Sequence, residues 1–387
     1  MRALCFYLPQ YHPIPENDEW WGPGFTEWTN VAQARPRFPG HYQPHVPADL
    51  GFYDLRLEET RVAQAELAKE YGIGGFCYYH YWFDGRQLLE RPFDEVLASG
   101  KPDFPFCLCW ANGNWTRRWD GAEHEVLMRQ DPDKYDAVAH MEWLVRAFKD
   151  PRYVRVDGRP LFLVYQPGHL ANRAAVIRTW RETAARLGVP DIYLCAVQSP
   201  ADDTEYAEAL ADGFDAMTEF FPTGRSLLAT GTGGALDAAW RFARRAAQRV
   251  MVEVLAPVRA RMRVLSYRAV VEYAMSRPAA GERVFPCVMP GWDNSARRRS
   301  GATVIQNDDA GLYQRWLEHA CRRVAGNPAD EQIVFINAWN EWAEGCHLEP
   351  DLRNGRRFLE ATRDALAPYA QPAARRAPSA PRAAGVA

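Results

Sequence analysis

RPLFLVYQPGHLANRAAVIRTWRETAARLGVPDIYLCAVQ, residues 159–198, decides the fold. It opens on a near-continuous apolar run, RPLFLVYQ (159–166). It then passes through a stretch of helical spacing, NRAAVIRTWRETAARLG (172–188), and closes on a second apolar run, IYLCAVQ (192–198). Strands apolar on both faces and joined by an amphipathic helix belong to a parallel sheet covered by helices. Gly188 stands where a helix C-terminal cap is expected.

The same unit recurs on both sides. Strand-length apolar runs occur at ALCFYL (3–8), IGGFCYYHYW (73–82), FPFCLCWA (104–111), FDAMTEFF (214–221), RVFPCVMP (283–290) and QIVFINAW (332–339), which with the first two makes eight. Helical spacing returns at 54–72, 134–150, 310–326 and 356–369, with Gly72 and Gly326 as further caps. Eight such units are the number that closes a (β/α)8 TIM barrel. A doubly wound open sheet is the alternative. It ordinarily carries a glycine-rich phosphate loop after its first strand, and here that strand runs into PQYHPIPENDEWW (9–21). YGIGG (71–75) precedes a strand and reads as a helix cap and turn. The expected organisation is one barrel domain over 1–370, with a helical insertion at about 222–281 between strands six and seven. A Pro- and Ala-rich tail, 371–387, is expected to be disordered.

The 387 residues are 47% hydrophobic and 25% charged, with a formal net charge of -3, which gives no electrostatic case for nucleic acid. The opening apolar run is too short for a signal-peptide core, and no stretch is long enough to span a membrane, so a cytoplasmic location is expected. Eight cysteines lack any secreted-scaffold spacing. Cys107 and Cys109, in CLC, share one face of a strand and read as core filling. Asp202–Asp203 and Asp308–Asp309 fall at predicted helix starts and read as caps. No metal or cofactor is expected. The insertion is unusual: residues 241–268 hold eight arginines and one acid, Glu253. Such a stretch makes peripheral contact with an anionic inner membrane or holds a phosphorylated ligand; otherwise it is a helical hairpin with solvated arginines, broken at Pro257.

Fourteen Trp and 17 Tyr exceed what packing needs, and they gather at the strand ends. In a barrel, reacting groups collect where strands end and βα loops begin. There the sequence sets rings beside amides, imidazoles and carboxylates, the combination that stacks on sugar C–H faces and hydrogen-bonds sugar hydroxyls. The candidate substrate contacts are Tyr11, His12, Trp20, Trp21, Glu27, Trp28, Tyr79, His80, Trp82, Trp110, Asn112, Trp292, Asp293, Asn294, Asn340 and Trp342. His80 and His347 are further proton or hydroxyl partners. The alternative for these rings is that they cap the barrel core with their polar tips in water.

NAWNEWAEG (337–345) ends the eighth run and carries two carboxylates, Glu341 and Glu344. Glycosidic cleavage uses two carboxyl groups, one protonated toward the leaving oxygen and one ionised. If the segment is helical the two lie roughly 5–6 Å apart at Cβ; if extended, roughly 10 Å. Their other reading is as first-turn acids of a helix.

These motifs carry a resemblance. The stretch from FYLPQYH (6–12) to PADLGFYDLR (47–56), with YYHYWF, CWANGNWTRRWDG, PGWDNSARR and FINAWNEWAEGCHLEPD, resembles the WbsX family of bacterial polysaccharide-biosynthesis proteins, which is glycoside hydrolase family 99-like. The resemblance covers residues 6–351 and implies a (β/α)8 barrel and chemistry at a glycosidic bond of mannose-type glycans in cell-surface polysaccharide or O-antigen metabolism. It implies that Glu344 is the general acid/base. It implies further that Glu341 deprotonates a sugar 2-hydroxyl, which attacks the anomeric carbon to give a 1,2-anhydro sugar. The family label implies instead a sugar-nucleotide-dependent transferase, and a non-catalytic carbohydrate-binding barrel is the alternative of another class.

Overall fold

The computed structural model describes residues 1–117, 122–199, 202, 204–223, 262–278, 281–298 and 301–370. Eight parallel strands stand where the apolar runs predict them. They are β1 (Arg2–Tyr7), β2 (Gly75–Phe83), β3 (Phe106–Trp110), β4 (Arg159–Val164), β5 (Tyr193–Gln198), β6 (Ala216–Glu219), β7 (Val284–Phe285 and Cys287–Val288) and β8 (Ile333–Ile336). Each pairs with its neighbour in chain order, and β8 returns to β1 in the register Arg2–Ile333 to Cys5–Ile336. Closure runs through β7, which is split at Pro286. Proline has no N–H to give the ladder. The two halves therefore serve opposite neighbours, Val284–Phe285 pairing with β6 and Cys287–Val288 with β8. The Pro286 carbonyl still accepts from the Phe335 amide at 2.8 Å.

Two short helices, α1 (Pro15–Trp21) and α2 (Glu27–Gln33), lie in the loop after β1. Among the described residues eight crossover helices follow, one per strand: α3 (Glu58–Glu70), α4 (Arg91–Ser99), α5 (Ala137–Phe148), α6 (Arg173–Arg186), α7 (Tyr206–Asp212), α8 (Tyr267–Ser276), α9 (Ala310–Val324) and α10 (Arg357–Leu366). Gly72 and Gly188 take the left-handed conformation of a C-terminal cap, at φ +81° and +86°. Gly326 does not, since Asn327 N reaches back to Val324 O at 3.0 Å. Asp309 caps α9 as read from the sequence, accepting from Leu312 N at 2.7 Å.

Side chains alternate between the barrel interior and the layer beneath the helices. Phe6 lies inside, 5.2–5.7 Å from Tyr79, Phe220 and Phe335. Outside, Trp180 of α6 is fully buried against Phe162 and Trp110, at 5.7 and 6.2 Å. Burying an apolar side chain of this kind stabilises by about 1.5–3 kcal/mol.

The 371–387 tail and most of the 222–281 insertion (224–261, 279 and 280) lie outside the described residues. Where the arginine-rich stretch is described it departs from the expected helical hairpin. Arg263–Ser266 is a strand parallel to Thr303–Gln306, which runs antiparallel to Trp292–Asp293, and α8 follows it directly. Among the described residues no helix is long and apolar enough to cross a membrane.

Candidate active site

The chain leaving β8 is neither wholly helical nor wholly extended. Asn340–Glu341 pairs antiparallel with Cys346–His347, and one turn of 3-10 helix, Trp342–Glu344, connects them. Gly345 closes the turn at φ +56°, where a Cβ would meet the Cβ of Asp293 at 2.9 Å, so the turn requires glycine. The loop after β1 clamps this hairpin. Asn340 accepts from Leu8 N at 2.7 Å and donates to Leu8 O at 3.0 Å. The Tyr11 hydroxyl donates to Asn340 O and accepts from Trp342 N at 3.2 Å.

Behind the hairpin, Trp342 stacks on His347 at 3.7 Å and donates its indole N–H to Glu349 at 2.6 Å. Glu349 also accepts from Gln64 at 2.6 Å and Tyr53 at 2.8 Å. Burial pushes the Glu349 carboxyl up to about 7, outweighing the pull of those three hydrogen bonds toward the ionised form.

The hairpin presents Glu341 and Glu344 to an open cleft of about 240 Å³ at the C-terminal ends of the strands. Seven of the eight strand ends contribute walls. They supply six aromatic rings, Trp21, Tyr79, Tyr81, Trp115, Tyr165 and Phe220, interleaved with Gln10, Asn114, Thr116 and Arg297. Arg297 joins the acids. Its Nη2 lies 2.9 Å from Glu341 Oε2, its Nη1 2.8 Å from Glu344 Oε1, and its Nε 3.2 Å from both oxygens of Glu27. One guanidinium thus faces three carboxylates in a desolvated pocket. Burial pushes Glu341 up to about 8; Arg297 pulls it back, while the charges of Glu344 and Glu27 push it up again. Glu27 is raised too, by burial. The two hairpin acids differ in solvent access, with side-chain exposures of 7% for Glu341 and 22% for Glu344.

Of the residues singled out in the sequence, Glu341, Glu344, Glu27, Trp21 and Tyr79 come together here. Trp20 is one ring back, edge-on to Trp115 at 5.9 Å. Tyr11, Trp28, Asn340 and Trp342 lie beneath the hairpin and hold it; Trp28 packs on Tyr11 and Trp342 and donates to Tyr53 O at 2.7 Å. His80, Trp82 and Trp110 face outward. His80 lies 2.9 Å from His140 of α5, on which Trp82 stacks at 4.7 Å, and Trp110 stacks on Tyr135 at 4.8 Å. Asn112 exchanges two 2.8 Å hydrogen bonds with the Gln166 backbone, tying the loops after β3 and β4.

Asp293 accepts from Gln43 at 2.8 Å and pairs with His41 at 2.7 Å, and Trp292 lines a neighbouring hollow. Asn294 accepts from Thr303 N at 2.8 Å. His12 is buried, and that burial lowers it to about 4. His347 lies behind Trp342, away from the cleft. The sequence reading missed Arg297, Tyr81, Trp115 and Glu349. Tyr81 was available from alternation alone, because residues two apart on a strand share a face with Tyr79.

A family model described as Glycosyltransferase WbsX matches residues 3–362. A relative described as "Uncharacterized protein WxcX", from Xanthomonas campestris pv. campestris, is 43% identical over 364 residues, 94% of this chain and 49% of the relative. The chain spans about half the length of the curated relatives it matches. In fold it is similar to the GH99 endo-alpha-mannosidase of Bacteroides thetaiotaomicron, with TM-score 0.54 and 15% identity over 95% of this chain and 97% of that one. It is also similar to a structure described as a glycoside hydrolase-like protein, with TM-score 0.56 and 15% identity over 94% and 93%. At such identities the likeness shows the barrel fold.

Proposed function

The chain belongs to the family described as Glycosyltransferase WbsX, and from that premise we propose that it is a glycoside-hydrolase-like enzyme acting at a glycosidic bond. The proposed substrates are mannose-type glycans of cell-surface polysaccharide metabolism. One observation carries the reading: Glu341 and Glu344 share the guanidinium of Arg297 at the floor of a cleft walled by rings and hydrogen-bonding side chains. Sugar rings stack on such walls, and the chemistry needs such a pair of acids.

Glu344, the more exposed acid, gives its proton to the leaving oxygen and later takes one from the acceptor. Glu341 takes the proton of the sugar 2-hydroxyl as that oxygen closes on the anomeric carbon. Burial raises the Glu341 carboxyl to about 8, so the ionised form that takes this proton is a stronger base than an ordinary carboxylate and is populated as pH rises toward 8. Arg297 holds both acids in place and offsets the charge they share.

Incubation with manno-oligosaccharides and O-antigen glycans is expected to release reducing ends. Glu344→Gln is expected to stop that release and leave glycan binding intact. The family description favours a second reading, transfer from a sugar nucleotide. Release of a nucleoside diphosphate during incubation with donor and acceptor would select it, and glycan binding without any turnover would select a binding barrel.

A further inference from the structure

Three side chains converge on the face of the hairpin turned away from the cleft. His45, His347 and Asp351 each direct one ligand atom at the others, all within 4.8 Å. His45 Nδ1 is 3.0 Å from His347 Nε2, and Asp351 Oδ2 is 3.9 Å from that same nitrogen. The tautomer of His347 is fixed from outside the group. Its Nδ1 lies 2.9 Å from the main-chain oxygen of Glu349, which can only accept, so Nδ1 holds the proton and Nε2 turns a lone pair inward.

Asp308 borders the same space, and Asn354 Nδ2 lies 3.4 Å from an oxygen of each of Asp308 and Asp351. That space is about 20 Å³, enough for one ion or one water and too small for an organic ligand. Its walls are fixed. Leu352 N donates to Val46 O and Ala48 N to Pro350 O, both at 2.9 Å, which pairs the segments bearing His45 and Asp351.

We propose that His45, His347 and Asp351 bind one divalent transition-metal ion of the zinc type, and that the ion pins the loop after β1 to the hairpin bearing Glu341 and Glu344. Two imidazole nitrogens and one carboxylate form a set that favours zinc over magnesium or calcium. Nitrogens about 2.05 Å from a tetrahedral zinc stand about 3.4 Å apart, so the two rings need part by only a few tenths of an ångström. On binding, the neutral His45 ring carries its proton on Nε2 and frees Nδ1; Asp308 or a water completes the shell. The sequence gives no hint of this group, because His45 and His347 are 302 residues apart.

The test uses the full chain, purified without a histidine tag and stripped with chelator. Titration with zinc is expected to end at one ion per chain retained through desalting, with a melting temperature raised by zinc and not by magnesium. His45→Gln and Asp351→Asn are each expected to weaken zinc binding by at least about 10–100-fold. His319→Gln, on α9 beside Arg323 and Glu219, should leave it unchanged. As a readout independent of any variant's folding, cobalt is added to the parent chain: visible d–d bands that zinc abolishes support the site. No retained zinc and no cobalt bands, or parental affinity in His45→Gln, would overturn the proposal.

Discussion

Arg297 Nη2 lies 2.9 Å from Glu341 Oε2, and this contact joins the loop after β7 to the hairpin after β8. Removing the guanidinium leaves two buried acids, Glu27 and Glu341, and the partly exposed Glu344 without their cation. Arg297→Met is expected to cost about 3–5 kcal/mol of stability near neutral pH. The loss should shrink at pH 5, where Glu341 and Glu27, both raised by burial, are more fully protonated. Denaturant unfolding of parent and variant at both pH values measures it.

Glu349 is raised to about 7 in the folded chain, above its ordinary value of 4.5. Between those values the folded state binds more protons than the unfolded one, so this group's stabilising contribution is fully present below pH 4.5 and is lost as pH rises through 7. The total is at most about 3 kcal/mol. Unfolding free energies of Glu349→Gln should vary less with pH across that window than those of the parent.

The pH dependence of catalysis follows from Glu341, raised to about 8 by burial. If Glu341 acts as the base toward the 2-hydroxyl, kcat/KM climbs as pH approaches 8. A profile falling across the same range would assign Glu341 the acid role instead.

Alternation along β2 separates neighbouring rings by function. Tyr81→Ala opens the cleft wall and is expected to lower kcat/KM by about tenfold or more, at about 1–3 kcal/mol per lost sugar contact. His80→Gln disturbs the contacts with His140 and Trp143 of α5, on the side of the strand away from the cleft, so it should lower the melting temperature and leave KM unchanged.

The barrel was legible because it rests on strand-length apolar runs and helical spacing, which are local. The split of β7 at Pro286 was in plain sight as FPC (285–287), yet its consequence depends on having two neighbours at once. The placement of Glu341 and Glu344 on the cleft was legible from their position at the end of the eighth run. Arg297 was not, because its three partners come from α2 and the hairpin, and nothing local marks that meeting. His80, Trp82 and Trp110 carry sugar-binding chemistry in the sequence, and strand parity turns them toward the helices instead.

The most direct test compares Glu344→Gln and Glu341→Gln on two substrates, a natural glycan that the parent chain cleaves and an aryl glycoside of the same sugar. An aryl leaving group needs no proton. Glu344→Gln should therefore lose about 10²–10⁴-fold on the glycan and far less in the first step on the aryl glycoside, whereas Glu341→Gln should lose activity on both. Full activity of both variants on the glycan would contradict the assignment of the hairpin acids.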